Sequence, residues 1–251
     1  METRDTPADG TPPDRLPPGL YVIGTPIGNL GDVTFRALET LRQADLVCAE
    51  DTRVTQRLLA RHGIGARLLS CHRFNEQSRT DAVVARIRAG GSVALATDSG
   101  MPGVSDPGAR MVAACREAGC PVTVVPGPSA VTAALALSGF ESDGFRFAGF
   151  LPPRPGPRGR RLDALLREDV PVVLFESPHR IRRLLDELAR RAPDRPLFVG
   201  RELTKRFEET RAGTTTELAT AGAESVPRGE FVLVLAPTPR RRGSGGGAEC
   251  G

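Results

Sequence analysis

Residues 93–97 read Val-Ala-Leu-Ala-Thr, and residues 98–108 read Asp-Ser-Gly-Met-Pro-Gly-Val-Ser-Asp-Pro-Gly. The first five are small or apolar without solvent-facing alternation, the pattern of a strand in a parallel sheet covered on both faces. The next eleven hold three Gly, two Pro and two Asp, so no regular element continues through them. Gly lets backbone approach a ligand without a Cβ in the way, and Pro fixes φ around it. A helix is predicted to start near Pro107 and to run through Ala114. Strand, Gly/Pro loop and helix is how open α/β proteins build pockets at the carboxyl ends of strands.

Similar units repeat along the chain. Leu20–Ile23 opens into Gly24–Asp32, Leu46–Ala49 into Glu50–Arg53, Leu68–Ser70 into Cys71–Glu76, and Val122–Val125 into Pro126–Ala130. Each is followed by a helical pattern, the first with Phe35, Leu38 and Leu41 expected inward. Strands alternating with helices predict an α/β layer with a mostly parallel sheet. The pattern pauses at Gly139–Gly144, which sets the expected boundary between an N-terminal α/β domain, 19–140, and a C-terminal one, 141–238. In the second domain Val172–Phe175 ends in Glu176–Arg180 and Leu197–Val199 ends in Gly200–Lys205. A mixed or antiparallel strand and helix are expected near residue 211, and Glu230–Leu235 reads as the last strand. Residues 1–18, with five prolines, are expected to be a disordered leader, and 239–251 a flexible basic tail.

Composition removes several function classes. The 28 Gly and 22 Pro fall between apolar runs and so punctuate a fold. A net charge of +4 is too mild to indicate nucleic acid by itself. Five cysteines without a C-x-x-C pair argue against a disulfide framework or a zinc site and predict reduced thiols in or beside the core. His62, His72 and His179 lack ligand spacing, so no metal is expected. No apolar run approaches membrane-spanning length, and the chain reads as cytoplasmic. The glycines of 24–31 match neither the dinucleotide fingerprint nor a Walker loop. The polar residues gather after strands, which predicts a ligand cleft between two domains.

Six segments in order carry a resemblance: Gly24-Thr-Pro-Ile-Gly-Asn-Leu-Gly-Asp32, Ala49-Glu-Asp-Thr-Arg53, Asp98–Gly108, Pro126-Gly-Pro-Ser-Ala130, Phe175-Glu-Ser-Pro-His-Arg180 and Arg201-Glu-Leu-Thr-Lys205. Together, over about residues 20–237, the chain resembles the small-subunit ribosomal RNA (cytidine-2′-O)-methyltransferase I family of the tetrapyrrole methylase superfamily. The resemblance implies two α/β domains with S-adenosylmethionine in the cleft between them, held largely by backbone. It places donor binding at Asp98, Gly100, Met101, Gly103, Val104, Ser129 and Ala130. It also implies a homodimer, and a cytidine of 16S ribosomal RNA in the small ribosomal subunit as target. Met101 stands where relatives commonly have Thr, which removes a hydroxyl contact and leaves backbone contacts. A Gly/Arg tail follows Leu235 where relatives often continue into a small helical segment, a departure that puts any subunit contact made by that segment in question.

Methylating a ribose 2′-hydroxyl requires alignment with the sulfonium methyl, exclusion of water and a proton acceptor, and no metal. Lys205, the only lysine among 34 basic residues, is the first candidate base, on the expectation that burial lowers its pKa. Glu208, Glu209, Asp51 and His72 are the others. Arg154, Arg158, Arg160 and Arg161, followed by Arg180, Arg182 and Arg183, are the candidate RNA contacts, the first four in a Pro/Gly loop. Two alternatives stand beside this: a corrin-type tetrapyrrole methyltransferase on the same fold, and a non-catalytic RNA-binding ribosome-assembly factor.

Overall fold

The structure is a computed structural model that describes residues 15–221 and 228–238. The basic tail from residue 239 and residues 1–14 of the leader lie outside the described residues. Arg15–Pro18 run against the fold rather than free of it: Arg15 pairs with Asp45 at 2.9 Å, Leu16 packs on the core, and Pro17 O accepts from the Tyr21 hydroxyl.

The chain divides into two compact units, Met1–Ser129 and Ala130–Gly251. The first contains β1 (Gly19–Ile23), α1 (Phe35–Gln43), β2 (Leu46–Ala49), α2 (Thr52–Arg61), β3 (Leu68–Ser70), α3 (Glu76–Arg88), β4 (Ser92–Ala96), α4 (Ala109–Glu117) and β5 (Val122–Val125). Its five strands lie in the order β3-β2-β4-β1-β5, every pairing parallel. Period-two alternation divides its core between two faces. Leu20, Val22, Leu46, Cys48, Val93 and Leu95 meet Val83 and Ile87 of α3 and Met111 and Cys115 of α4. Tyr21, Ile23, Val47 and Ala94 meet Ala37 and Leu41 of α1 and Leu58 and Leu59 of α2. With both faces covered, β4 has no polar side after Ser92, which explains the unbroken apolar run from Val93 to Ala96.

Two helices here start on side-chain caps, Thr34 on the Ala37 N–H and Asp51 on the Arg53 N–H. Phe35 is 93% exposed, against the inward placement expected from sequence. The buried stripe of α1 is Ala37, Thr40 and Leu41, and the first helical position falls off it. Cys48, Cys71, Cys115 and Cys120 are free and buried. Burial pushes Cys48 up to about 12 and Cys71 and Cys115 up to about 11, so these three are inert packing groups.

The second unit contains α5 (Ala130–Ser138), β6 (Arg146–Phe150), α6 (Pro155–Leu165), β7 (Val172–Glu176), α7 (Ile181–Arg191), β8 (Pro196–Arg201), β9 (Glu209–Thr214), α8 (Thr215–Ala221) and β10 (Phe231–Leu235). The sheet order is β6-β7-β10-β8-β9, with β6 parallel to β7 and the other pairings antiparallel. Helix α7 buries Ile181, Leu184, Leu185 and Leu188 on one face, each such side chain worth about 1.5–3 kcal/mol when fully buried. Val131 and Ala134 of α5 cover the other face, over Val173, Phe198, Val232 and Val234. That packing puts α5 in the second unit, ahead of the Gly139–Gly144 pause where sequence placed the boundary.

The Arg-bearing Pro/Gly stretch is a helix, not a loop. Pro155 occupies its start, where the missing N–H costs nothing, and Arg158, Leu162 and Leu165 form its buried stripe at helical spacing.

Candidate active site

Because all five strands of the first sheet are parallel, the loops that follow them leave from one edge. Gly24 and Gly127 meet there backbone to backbone. A Cβ on Gly24 would fall 2.6 Å from Gly127 N and 2.7 Å from Met101 Sδ, and one on Gly127 would fall 2.6 Å from Gly24 O. Neither position admits a side chain. Thr25 and Gly100 exchange backbone hydrogen bonds at 2.9 and 3.1 Å, and the Thr25 hydroxyl donates to Thr97 O at 2.9 Å. These contacts tie the loop after β1 to the loop after β4.

Carboxylates link β2 to β4. The Asp51 N–H donates to Asp98 Oδ1 at 2.9 Å, and the Asp98 N–H to Glu50 Oε2 at 3.4 Å. Burial pushes both Asp98 and Glu50 above their ordinary values, against the hydrogen bonds they accept. The Thr97 hydroxyl beside them is buried, and among the described residues its Oγ1 has no hydrogen-bonding partner. Of the expected donor residues, Gly100 is buried, Asp98, Met101, Ser129 and Ala130 are half-buried, and Gly103 and Val104 are exposed. Met101 packs beside the core, against Gly24. Ala130 opens α5 and belongs to the second unit.

The far end of the Asp98–Gly108 loop is held by a residue from α3. Gly108, the N-cap of α4, has φ +127° and no side chain, and Glu76 Oε1 accepts its N–H at 3.0 Å and that of Met111 at 3.4 Å. Glu76 is itself buried.

In the second unit β6, β7 and β8 end at the edge where β10 begins. Glu176 is buried at the end of β7, where Arg158 Nη1 donates to it at 3.0 Å and Arg180 Nε lies 2.8 Å away. Arg158 Nε also reaches Glu187 at 2.9 Å, and Arg183 binds the other Glu187 oxygen. Lys205 Nζ donates to Glu202 at 2.8 Å and to Glu230 at 3.0 Å. Glu202 also accepts the Glu230 N–H at 2.9 Å. Glu208 accepts the Thr204 N–H and is exposed. Glu202 and Thr204 hold left-handed backbone, φ +50° and +67°, as Ser105 does in the first unit at +66°. Among the described residues no cluster of His, Cys, Asp and Glu is placed to hold a metal ion, and no helix is long and apolar enough to cross a membrane.

The sequence profile of the tetrapyrrole (corrin/porphyrin) methylases matches residues 19–219. The ribosomal RNA small subunit methyltransferase I of Neisseria meningitidis serogroup B is 46% identical over 230 residues, covering 90% of this chain and 78% of that protein. The protein of the same name from Thermotoga maritima is 43% identical over 216 residues, covering 86% of this chain and 97% of its own. The chain belongs to the ribosomal RNA small subunit methyltransferase I family, within the tetrapyrrole methylases. Among solved structures, a cobalt precorrin-4 methyltransferase superposes with a TM-score of 0.65 at 26% identity, over 86% of this chain and 94% of that one.

For this member of the family, geometry corrects four expectations. Arg158 is 1% exposed and paired with two carboxylates, so it does not reach a phosphate. Arg180 is engaged by Glu176 and by Leu151 O, which leaves Arg154, Arg160 and half-buried Arg161 as outward cations of that segment. Asp51 caps α2 and binds Arg53, whose hydrogen bonds hold its carboxyl down at about 2, too low for a base. Burial pulls the Lys205 ammonium down, but the hydrogen bonds it donates to Glu202 and Glu230 outweigh that and raise the pKa, opposite to the lowering a base needs. Glu50 and Glu76 stood among the polar residues after strands without a role; the available signal was an acidic residue at the end of a strand or in a helix's first turn.

Removing one partner of a buried ion pair leaves the others uncompensated. Arg158→Met should therefore cost about 3–5 kcal/mol in urea unfolding, while Arg160→Ala changes stability by about 0.5 kcal/mol or less. Burial raises Glu187, but the hydrogen bonds from Arg158 and Arg183 prevail and hold it below 4.5. The stability it contributes is present above that value and is lost as pH falls through the lowered one, so the gap between wild type and Arg158→Met should shrink in acid.

Proposed function

We propose that this protein transfers a methyl group from S-adenosylmethionine to the ribose 2′-hydroxyl of a cytidine in 16S ribosomal RNA, acting as a homodimer. The observation that carries the reading is the pair of small-subunit methyltransferase I relatives at 43–46% identity along most of the chain. They favour an RNA acceptor over a tetrapyrrole, since the cobalt precorrin-4 enzyme is 26% identical. The edge of the first sheet fits the donor. Gly24 and Gly127 form a surface no Cβ could share, the buried Thr97 hydroxyl has no partner among the described residues, and Asp98 offers a carboxylate to a cation or a sugar hydroxyl.

In this reading Asp98, Gly100, Met101, Gly103, Val104, Ser129 and Ala130 hold the donor, largely by backbone. When bound, S-adenosylmethionine supplies an electrophilic sulfonium methyl, so the protein's tasks are alignment, exclusion of water and acceptance of one proton. Thr25 fixes the loop through its paired bonds to Gly100. Lys205, already protonated between two carboxylates, is a fixed positive charge and a clasp between the β8 loop and β10. The proton from the 2′-hydroxyl passes to Glu208, the carboxylate among the candidates that, within the described residues, is neither a helix cap nor ion-paired, whereas Asp51 binds Arg53 and Glu209 binds Arg201 and Arg211. Arg154, Arg160 and Arg161 contact phosphates.

Incubating the purified protein with labelled donor and small subunits that lack the modification should place one 2′-O-methyl group on a cytidine, read by mass spectrometry of nuclease fragments. Label on a base, or on no nucleotide, would overturn the reading, and sedimentation velocity of the same preparation tests the homodimer.

Replacing Arg154, Arg160 and Arg161 with Ala should flatten the salt dependence of RNA binding by roughly one slope unit per lost contact. An unchanged slope would make that helix end a solvated face.

Lys205→Arg keeps the charge but cannot release a proton at usable pH, and in this reading it retains most of the single-turnover rate. Glu208→Gln should lower that rate by ~10²-fold or more with donor and RNA affinities unchanged. The opposite pattern, a dead Lys205→Arg beside an active Glu208→Gln, would return the base to Lys205.

A further inference from the structure

Helix α4 begins where the Asp98–Gly108 loop ends, and its N-cap cannot cap it. A cap residue ordinarily offers a side-chain oxygen to the second or third N–H of the helix. Gly108 has none, and its surroundings forbid one. Its φ of +127° excludes ordinary side chains, and an added Cβ would fall 3.0 Å from Leu95 Cδ2 and 3.2 Å from Pro102 Cβ. Gly108 and Met111 are buried there, and their N–H groups still need acceptors.

Glu76 supplies one from another helix. It is the first residue of α3, 7% exposed, and its Oε1 takes the N–H of Gly108 at 3.0 Å and the N–H of Met111, the third helical residue, at 3.4 Å. That second bond is the one a cap side chain would have made. A buried carboxylate in turn needs donors, and the positive end of α4 provides them. The loop is thus anchored at both ends by other segments: Thr25 holds Gly100, and Glu76 holds Gly108. Between those anchors the backbone bonds from Gly103 N to Pro107 O and from Val104 N to Met101 O stay within the loop.

We propose that Glu76 is a positioning residue for methyl transfer, which caps α4 in place of the side chain Gly108 cannot carry and so fixes the Asp98–Gly108 loop in its donor-binding shape. The inference rests on the reading that this loop holds S-adenosylmethionine. In this proposal Glu76 acts through the loop, by its bonds to Gly108 and Met111, and not on donor or RNA directly. Its neighbours on the chain, Arg73 and Phe74, are exposed, so the segment after β3 turns from solvent to the loop's anchor within a few residues.

Donor affinity by isothermal titration, RNA affinity, melting temperature and amide exchange over residues 98–111 test this in wild type, Glu76→Ala, Glu76→Gln and Glu76→Asp. Glu76→Ala should weaken donor binding about 5-fold or more and speed exchange from Gly108 to Met111, with RNA affinity within about 2-fold of wild type. Glu76→Gln, which keeps an acceptor oxygen at the same reach, should recover most of the donor affinity, and Glu76→Asp, one methylene shorter, less of it. A Glu76→Ala protein that melts earlier yet binds donor as wild type does would reduce Glu76 to a structural cap and overturn the proposal. If Glu76→Ala does not fold, equal donor affinities in the Gln and Asp variants and wild type overturn it instead. Donor that fails to slow exchange over 98–108 in wild type would overturn the donor placement and this inference with it. Protection in wild type with unchanged affinity in Glu76→Ala overturns the inference alone.

Discussion

A strand covered on both faces has no side on which to display a polar group, and in the first unit that constraint governs where chemistry can reside. β4 is buried along its whole length, and its neighbours β1 and β2 are buried with it. Parallel pairing then sends every strand's carboxyl end to one edge, so the polar residues appear together there although scattered in sequence. Glu50 and Asp98 are adjacent because β2 and β4 pair, and Thr25 meets Gly100 because β1 pairs with β4. Packing of the sheet is therefore what brings the candidate donor residues of this unit together.

The same constraint explains which parts of the molecule were legible in advance. Apolar strands and the Gly/Pro loops after them are local patterns, and the strands sit where their residues predict. The second sheet's mixed character near residue 211 was also readable, as β9 pairs antiparallel with β8. The Pro155–Leu165 helix was not, because Pro and Gly were read as breakers while Pro at a helix start is a helix signal. Phe35 misled for a related reason: hydrophobicity at a helix's first residue does not say which way the stripe faces. The boundary before α5 was missed because an apolar helix carries no mark of which sheet it will cover.

Charged side chains were the least legible, since their role is decided by partners distant in sequence. Arg158 has the spacing and company of a phosphate contact, yet helical periodicity turns it inward onto Glu176 and Glu187. Two desolvated carboxylates and a guanidinium gain little over an apolar cluster of the same shape, but removing any one of them is costly. Lys205 is conspicuous as the only lysine, and the groups that settle its protonation are Glu202 and Glu230, the second brought in just ahead of β10. Burial alone lowers its pKa; hydrogen bonds to two carboxylates raise it.

Strain falls where those long-range anchors are densest. The non-glycine residues in left-handed backbone among those described are Ser105, Glu202 and Thr204, all within two motif loops. Such conformations cost about 1–3 kcal/mol each and persist only where surroundings over-determine them. The surroundings here are identifiable. Glu202 is gripped by Lys205 and the Glu230 N–H and lies against Gly229, where any Cβ would come 2.5 Å from its Cγ. Ser105 sits between the Thr25 anchor at Gly100 and the Glu76 anchor at Gly108. A loop that relaxed to its preferred backbone would have to break contacts made by segments elsewhere in the same unit, so its shape is set before any ligand arrives. Preorganisation of that kind favours binding by removing the entropy of ordering a Gly-rich loop, which is the reason such a loop needs anchors at both ends.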